Sequence, residues 1–163
     1  MTEWDQVPES VIELAGSLID QYHPSLKAAR IGFLFRSPVS KSQGREVWGQ
    51  AEKVTAKWQA LLPEPLDFII WLAADIWLDV LDDRQRKALL DHELCHCFWD
   101  GEKAHIHGHD IEEFTVIIER HGLWNSAAER MAQATSAYQA PLIGERGGVF
   151  RVNPGGMKGG FDE

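Results

Sequence analysis

The first 35 residues carry two different apolar patterns. After Pro8, which suits a first helical turn, apolar residues recur at helical spacing until His23 and Pro24 interrupt the run. Residues 31–35 (IGFLF) are a short apolar run that is typical of a strand. The pattern therefore predicts a helix followed by a strand.

Two further segments predict extended structure. Residues 46–54 (EVWGQAEKV) fit a strand in which Gly49 is a candidate bulge. Residues 67–73 (DFIIWLA) form a continuous apolar run of strand length, which is typical of a strand buried on both faces. Together with residues 31–35, these segments predict a small three-stranded sheet.

The second half of the chain is predicted to be helical. Asp82 is a good N-cap, and Gln85 stands at the position that completes a capping box, so a helix is expected from there to about Phe98. Asp110 is expected to cap a further helix, which Gly122 should terminate.

A last helix is predicted from Ser126 to about Tyr138, after which the composition changes. Residues 139–163 are rich in glycine and predict a flexible tail beyond a single domain over residues 1–138. Strands and helices that occur in separate runs are typical of the α+β class. The chain is therefore predicted to be an α+β domain in which a small three-stranded sheet packs against helices.

Charge and cysteine content narrow the setting. A formal net charge of -9, from 25 acidic and 16 basic residues, gives no overall field that would attract nucleic acid or an anionic membrane. No apolar run approaches the roughly 18 residues of a membrane span, and the N-terminus has no secretory signal pattern. Cys95 and Cys97 lie too close in sequence for a disulfide framework. These features predict a cytoplasmic protein.

Residues 92–97 (HELCHC) contain an H-E-x-x-H pattern on the helix predicted after Asp82. Residues four apart share one face of a helix, so His92 and His96 can both direct an imidazole at one metal ion. Zinc at such a site lowers the pKa of a water and polarises a scissile carbonyl. Glu93, beside that face, can take the proton of the water and pass it to a leaving amine. The pattern predicts a zinc peptidase.

A catalytic zinc keeps three protein ligands and an open position, so the third ligand must come from outside this helix. His109 is the preferred candidate because it starts the next predicted helix, after a loop long enough to fold back. Glu112 and Glu113 are the alternative, since a glutamate on a second helix can complete such a site. His105 and His107 are expected to be solvated loop residues or to line the cleft.

The chain resembles the metallopeptidases encoded by phages and prophages in several segments: VWGQAEKV, DFIIWLAADIWLDVLDDRQRKALLDHEL, ALLDHELCH and HDIEEFTVIIERHG. The resemblance covers most of residues 10–125. More distantly, a histidine with a phenylalanine or tryptophan a few residues later resembles SprT-like zinc proteases, in which that histidine is the third ligand. The resemblance implies a minimal zincin-like fold in which His92, His96 and His109 bind zinc and Glu93 is the catalytic carboxylate.

Two other functions stay open at this point. A non-catalytic zinc-binding interaction protein would close the site with a fourth ligand, from His105, His107 or Glu112. A nucleic-acid-associated SprT-like protease is the other alternative, although the sequence shows a glycine-rich segment rather than a basic or zinc-ribbon extension. The leading prediction implies a protein or peptide substrate. The sequence predicts neither the identity of that substrate nor an oligomeric state. Candidates for stabilising the transition state are His105, Arg120, His121 and Tyr138.

Overall fold

The computed structural model describes residues 1–111, 115–123 and 126–139. Its contacts divide the chain into two compact units, Met1–His109 and a second unit that begins at Asp110. The prediction of a single domain over residues 1–138 stays a prediction. The tail predicted over residues 139–163 lies, apart from Gln139, outside the described residues.

The first unit mixes short strands with helices. In chain order its elements are β1 (Glu3–Gln6), α1 (Glu9–Tyr22), a 3-10 helix (Pro24–Ala28), β2 (Ile31–Ser37), β3 (Ser40–Ser42), β4 (Arg45–Val47), β5 (Gly49–Lys53), α2 (Ala56–Gln59), β6 (Phe68–Ala73), α3 (Ala74–Asp79), α4 (Asp83–His96), β7 (Cys97–Trp99) and β8 (Ala104–Ile106). In the second unit, α5 (Thr115–His121) and α6 (Ser126–Gln139) are described. The predicted α+β class is confirmed.

A four-stranded sheet in the order β1-β2-β6-β5 organises the first unit. β2 and β6 pair in parallel, whereas the edge strands β1 and β5 are antiparallel to their neighbours. Phe68, Ile70 and Leu72 are fully buried on one face of β6, and Trp71 and Ala73 are buried on the other. This burial explains why the segment is a continuous apolar run rather than an alternating one.

The predicted three-stranded sheet is wrong by one strand. The main sheet has four strands, and the prediction omits β1. All four residues of β1 are exposed, and β1 pairs only with β2 at the edge of the sheet. An exposed edge strand needs few apolar side chains, and Trp4 is the only one in β1, so its sequence carries little hydrophobic signal.

The single strand predicted over residues 46–54 is two strands. β4 pairs with β3 in a separate hairpin, and β5 pairs with β6 in the main sheet, so that Trp48 lies between two different partners. Backbone pairing across this break is retained, since the Ala73 N–H donates to the Trp48 carbonyl over 2.8 Å.

The core of the first unit joins α1 and α4 to the sheet. Leu18 of α1 and Leu90 and Leu94 of α4 are fully buried and belong to the same apolar cluster as Phe68 and Ile70. Full burial of one such side chain contributes about 1.5–3 kcal/mol relative to leaving it in water. The packing therefore holds α4 in one orientation about its axis.

The start of α4 is also defined by hydrogen bonds. The Gln85 N–H donates to the Asp82 carboxylate over 2.8 Å, and the Asp82 N–H donates to the Gln85 side-chain oxygen over 3.0 Å. The predicted capping box is confirmed. It satisfies two N–H groups that the first turn of a helix otherwise leaves without partners.

The helix ends at His96 rather than near Phe98, which corrects the prediction. Residues 97–99 extend as β7 and pair antiparallel with β8, so a β-hairpin follows α4 directly. Gly101, at φ 102°, adopts in the turn a backbone conformation that favours glycine.

Two predictions for the second unit can be compared with its described residues. Gly122 terminates α5 as predicted: it has φ 70°, and its N–H donates to the Ile118 carbonyl over 2.8 Å. The helix predicted from Ser126 to about Tyr138 corresponds to α6. Among the described residues, no helix combines the length and apolar character that crossing a membrane requires.

Candidate metal centre

Three predicted ligands converge at the C-terminal end of α4. The Nε2 atom of His92 lies 3.3 Å from that of His96 and 3.1 Å from that of His109. The ring centroids of His96 and His109 are 4.6 Å apart. All three imidazoles therefore direct a nitrogen at one small volume, and all three lie within the first unit.

These spacings fit a tetrahedral metal ion. With zinc–nitrogen bonds of 2.0–2.1 Å, two nitrogens at a tetrahedral angle lie about 3.3 Å apart. The observed 3.1 and 3.3 Å separations are close to that value. Within the part of the chain that the structure describes, this group contains no fourth histidine, cysteine or carboxylate. The group thus supplies three described donors, one fewer than the four of a tetrahedral ion.

A backbone carbonyl orients the His96 ring. Its Nδ1 lies 2.6 Å from the His107 carbonyl oxygen, to which it can only donate. The Nδ1–H tautomer leaves Nε2 with a lone pair for a metal. In return, the His107 N–H donates to the His96 carbonyl over 2.8 Å.

The β7–β8 hairpin explains how His109 reaches the helix. β7 begins immediately after His96, and the last pair in the register is Cys97 opposite Ile106. The next residue, His107, therefore lies opposite His96, and His109 follows two residues later. Phe98 stacks on the His107 ring, with centroids 4.9 Å apart and planes inclined by 16°.

Close packing of the imidazoles affects their protonation. Burial lowers the pKa of His92, and positive charge on His96 or His109 would lower it further. A neutral imidazole is the form that binds a metal. The arrangement therefore favours the state of His92 that can act as a ligand.

Glu93 lies on the neighbouring face of α4, beside the edge strand β5. It is only 4% exposed, although His92, next to it in sequence, is exposed. A Cβ atom at Gly49 would lie 2.8 Å from the Glu93 Oε1, closer than side-chain atoms pack. Gly49 is thus the position at which the strand accommodates the carboxyl group, and no bulge is needed to explain it.

Burial raises the pKa of Glu93 to about 7, against the opposing effects of His96 and of a backbone hydrogen bond from Ala51. A carboxyl group with a pKa near neutrality can both accept and release a proton at neutral pH. Burial and a defined position beside the imidazoles give Glu93 the properties of an acid–base group.

Among the other sequence candidates, His105 and His107 do not belong to the three-histidine group. His105 pairs with Asp100 over 2.7 Å on the exposed surface of the hairpin, which agrees with its predicted solvated position. His107 contributes its backbone rather than its ring to the site. Glu112 and Glu113, the alternative third ligands, lie outside the described residues.

Two features of the site were not predicted. The first is the hairpin, for which Asp100-Gly101 is a recognised signal, although residues 97–99 look like the end of a helix. The second is the contact of Gly49 with Glu93, which joins positions 44 residues apart; a glycine inside a strand pattern is the only local sign of it.

Fold and site together define an α+β protein with an H-E-x-x-H helix and a three-histidine group suited to a divalent transition metal. Residues 2–136 match the family model described as "Putative phage metallopeptidase". The chain belongs to this family, which confirms the resemblance noted from its sequence and implies a metal ion. Comparison with curated proteins gave no match, and neither did comparison with solved structures.

Proposed function

We propose that this protein is a zinc-dependent peptidase, encoded by a phage or prophage, in which His92, His96 and His109 bind the metal. The observation that carries the proposal is the convergence of three Nε2 atoms beside a buried carboxyl group on the same helix. Neither half suffices alone, because three histidines can bind a metal without catalysis and a buried carboxyl group can be structural.

The donor set favours zinc. Three neutral imidazoles are a common ligand set of catalytic zinc, whereas calcium and magnesium prefer oxygen ligands. When bound, zinc supplies Lewis-acid polarisation of a scissile carbonyl and lowers the pKa of an attacking water. The proposal assigns three protein ligands and an open position to the ion, which distinguishes a catalytic site from a closed structural one.

The side chains around the ligands have distinct roles in this proposal. Glu93 accepts a proton from the attacking water and donates it to the leaving amine, which is the general acid–base role of a carboxyl group. Gly49 leaves the space that its carboxyl group occupies. The His107 carbonyl keeps His96 in the tautomer that presents Nε2.

Glu93→Gln tests the proposal most directly, because it preserves the shape of the side chain and removes its acid–base chemistry. We expect the variant to bind as much zinc as the unmodified protein. Its cleavage of an unfolded substrate, such as fluorescein-labelled casein, should be slower by about 100- to 10,000-fold. Zinc per chain by elemental analysis and the initial cleavage rate are measured on the same sample.

Asp83→Asn is the matched control, because it makes the same chemical change on an exposed side chain in the first turn of α4. It should retain both zinc and activity. A Glu93→Gln protein that cleaves casein as fast as the unmodified protein would rule out the role assigned to Glu93. A zinc-loaded, unmodified protein that cleaves no unfolded substrate would favour a non-catalytic zinc-binding protein.

A further inference from the structure

We propose that His23, Asp91 and Cys95 form a second site for a divalent transition metal ion, separate from the three-histidine group. Their donor atoms, one imidazole nitrogen, one carboxylate oxygen and one sulfur, all lie within 4.8 Å of one another. The proposed peptidase activity uses none of them, so this inference goes beyond that activity and does not rest on it.

The site follows from the geometry of α4. Asp91 and Cys95 are four residues apart and therefore share one face of the helix. Each precedes a histidine of the other group by one position, which turns this face about 100° away from His92 and His96. We call the first the mixed face (Asp91 and Cys95) and the second the histidine face (His92 and His96).

His23 supplies the third donor from another element. It follows the last residue of α1, where its N–H donates to the Ile19 carbonyl over 3.0 Å, and it directly precedes the 3-10 helix. Leu18 and Leu26, on either side of it in sequence, are buried in the core. The backbone that carries the imidazole is therefore held in place, and a ligand there loses little freedom on binding.

The His23 side chain is already directed at the mixed face. Its Nε2 lies 2.6 Å from the Asp91 Oδ1, with side-chain exposures of 14% and 36%. Two ligands of a tetrahedral zinc-sized ion lie about 3.3 Å apart, so the pair would have to separate by only about 0.7 Å. An ion between them takes the place of the proton that now links nitrogen and oxygen.

The chemistry of the donors selects the class of ion. A thiolate and an imidazole favour borderline ions such as zinc, cobalt and nickel, and a single carboxylate is too little oxygen for calcium or magnesium. Zinc binds all three types, at about 2.3 Å for sulfur and 2.0–2.2 Å for nitrogen and oxygen. An ion held here joins the end of α1 to α4, 68 residues further along the chain.

Cobalt distinguishes the two sites, because only one of them contains sulfur. Metal-free full-length protein is titrated with Co²⁺ in the presence of a phosphine reductant. Thiolate-to-cobalt charge-transfer absorption in the near ultraviolet is recorded together with cobalt per chain. We expect two ions per chain and a charge-transfer band that saturates with one of them. His109→Ala should lose one ion and keep the band.

Cys95→Ser should abolish the band, and Cys97→Ala is the matched control. Cys97 is buried and belongs to neither group, so its replacement should leave the band unchanged. His23→Gln and Asp91→Asn should each weaken the cobalt binding that produces the band by at least about 10-fold. Loss of a residue that only hydrogen-bonds to a ligand already costs about 10-fold or more. The absence of a band with excess cobalt, or its persistence in Cys95→Ser, would overturn the proposal.

Discussion

Helix α4 presents two pairs of potential ligands at the same spacing, on adjacent faces. The third donor for the histidine face, His109, arrives through a hairpin that starts where the helix ends. The third donor for the mixed face, His23, comes from the end of α1 and meets Asp91 across 68 residues of sequence. One arrangement is assembled locally, and the other depends on the packing of distant elements.

The two groups also differ in what surrounds their donors. In the three-histidine group, His92 and His109 are exposed, and Glu93, next to His92 in sequence, is buried. On the mixed face, His23 is mostly buried and already bonded to a carboxylate. Identical i,i+4 spacing therefore occurs in two settings: next to a buried carboxyl group in one case, and in a contact between two helices in the other. Spacing alone does not predict which of the two a ligand pair will form.

The largest effect should come from the part of α4 on which both faces depend. Leu94→Ala removes a fully buried side chain, and such truncations cost about 2–5 kcal/mol of the free energy of unfolding. Urea unfolding of the metal-free protein measures this loss. Both faces should bind metal more weakly in the variant, because the same backbone positions all four α4 donors.

Leu78→Ala is the control for that experiment, because Leu78 is 57% exposed. Its replacement should change stability by less than about 0.5 kcal/mol. Equal stabilities for the two variants would mean that the packing of Leu94 does not hold α4 in place, and the common basis of the two faces would be lost.

The next effect separates the faces. His109→Ala should weaken zinc binding at the histidine face by about 100- to 1,000-fold, since four ligands of a structural zinc together contribute about 10–16 kcal/mol. Competition with a chromophoric chelator measures the affinity. The thiolate band of cobalt on the mixed face should persist, because His23 does not depend on the hairpin.

His105→Ala is the matched control, because His105 lies on the same hairpin but pairs with Asp100 instead of joining the group. It should bind zinc like the unmodified protein. Unchanged zinc affinity in His109→Ala would transfer the role of third ligand to Glu112 or Glu113. Glu112→Gln and Glu113→Gln would then identify which of them it is.

How far the sequence predicts this molecule depends on how far apart its interacting residues are. The capping box joins Asp82 to Gln85, and the contact between imidazoles joins His92 to His96, so each lies within about one turn of helix. The apolar composition of β6 likewise predicts its burial. These local features were predicted with nearly correct bounds.

Features that depend on tertiary packing were missed. Gly49 fits a bulge or a close approach equally well, and only the position of β5 beside Glu93 decides between them. The exposed strand β1 has no pattern of its own, since its pairing with β2 is made by the backbone. The contact of His23 with Asp91 exists only because α1 packs against α4.

A smaller effect is expected from a change beside the Glu93 carboxyl group, which distinguishes the histidine face. Gly49→Ala would place a Cβ atom 2.8 Å from the Glu93 Oε1 and 3.1 Å from its Cδ, so the buried carboxyl group must move. A displacement of about 1 Å can cost up to 100-fold in rate. We expect casein cleavage to fall by about 10- to 100-fold while zinc content stays the same.

Gly16→Ala provides the comparison, because a Cβ atom there meets nothing within 4 Å. Gly16 lies inside α1, where alanine should raise stability by up to about 1 kcal/mol without affecting activity. Full activity in Gly49→Ala would mean that the reaction tolerates a displaced Glu93, and the strand edge would lose the role assigned to it.

The smallest effect should be a loss of stability of the helix that carries both faces, with no change in the metal affinity of either face. Asp82→Ala removes the cap whose carboxylate accepts from the Gln85 N–H, and the loss of such a cap costs about 1 kcal/mol. Thermal unfolding of the metal-free protein measures the change.

The cap lies nine residues before Asp91, and buried Leu90 and Leu94 hold the last turns of α4 independently of it. Zinc affinity at the histidine face and the thiolate band at the mixed face should therefore be unchanged. A parallel weakening of both would show that the cap sets the position of the whole helix, and that the two faces differ in chemistry but not in what holds them.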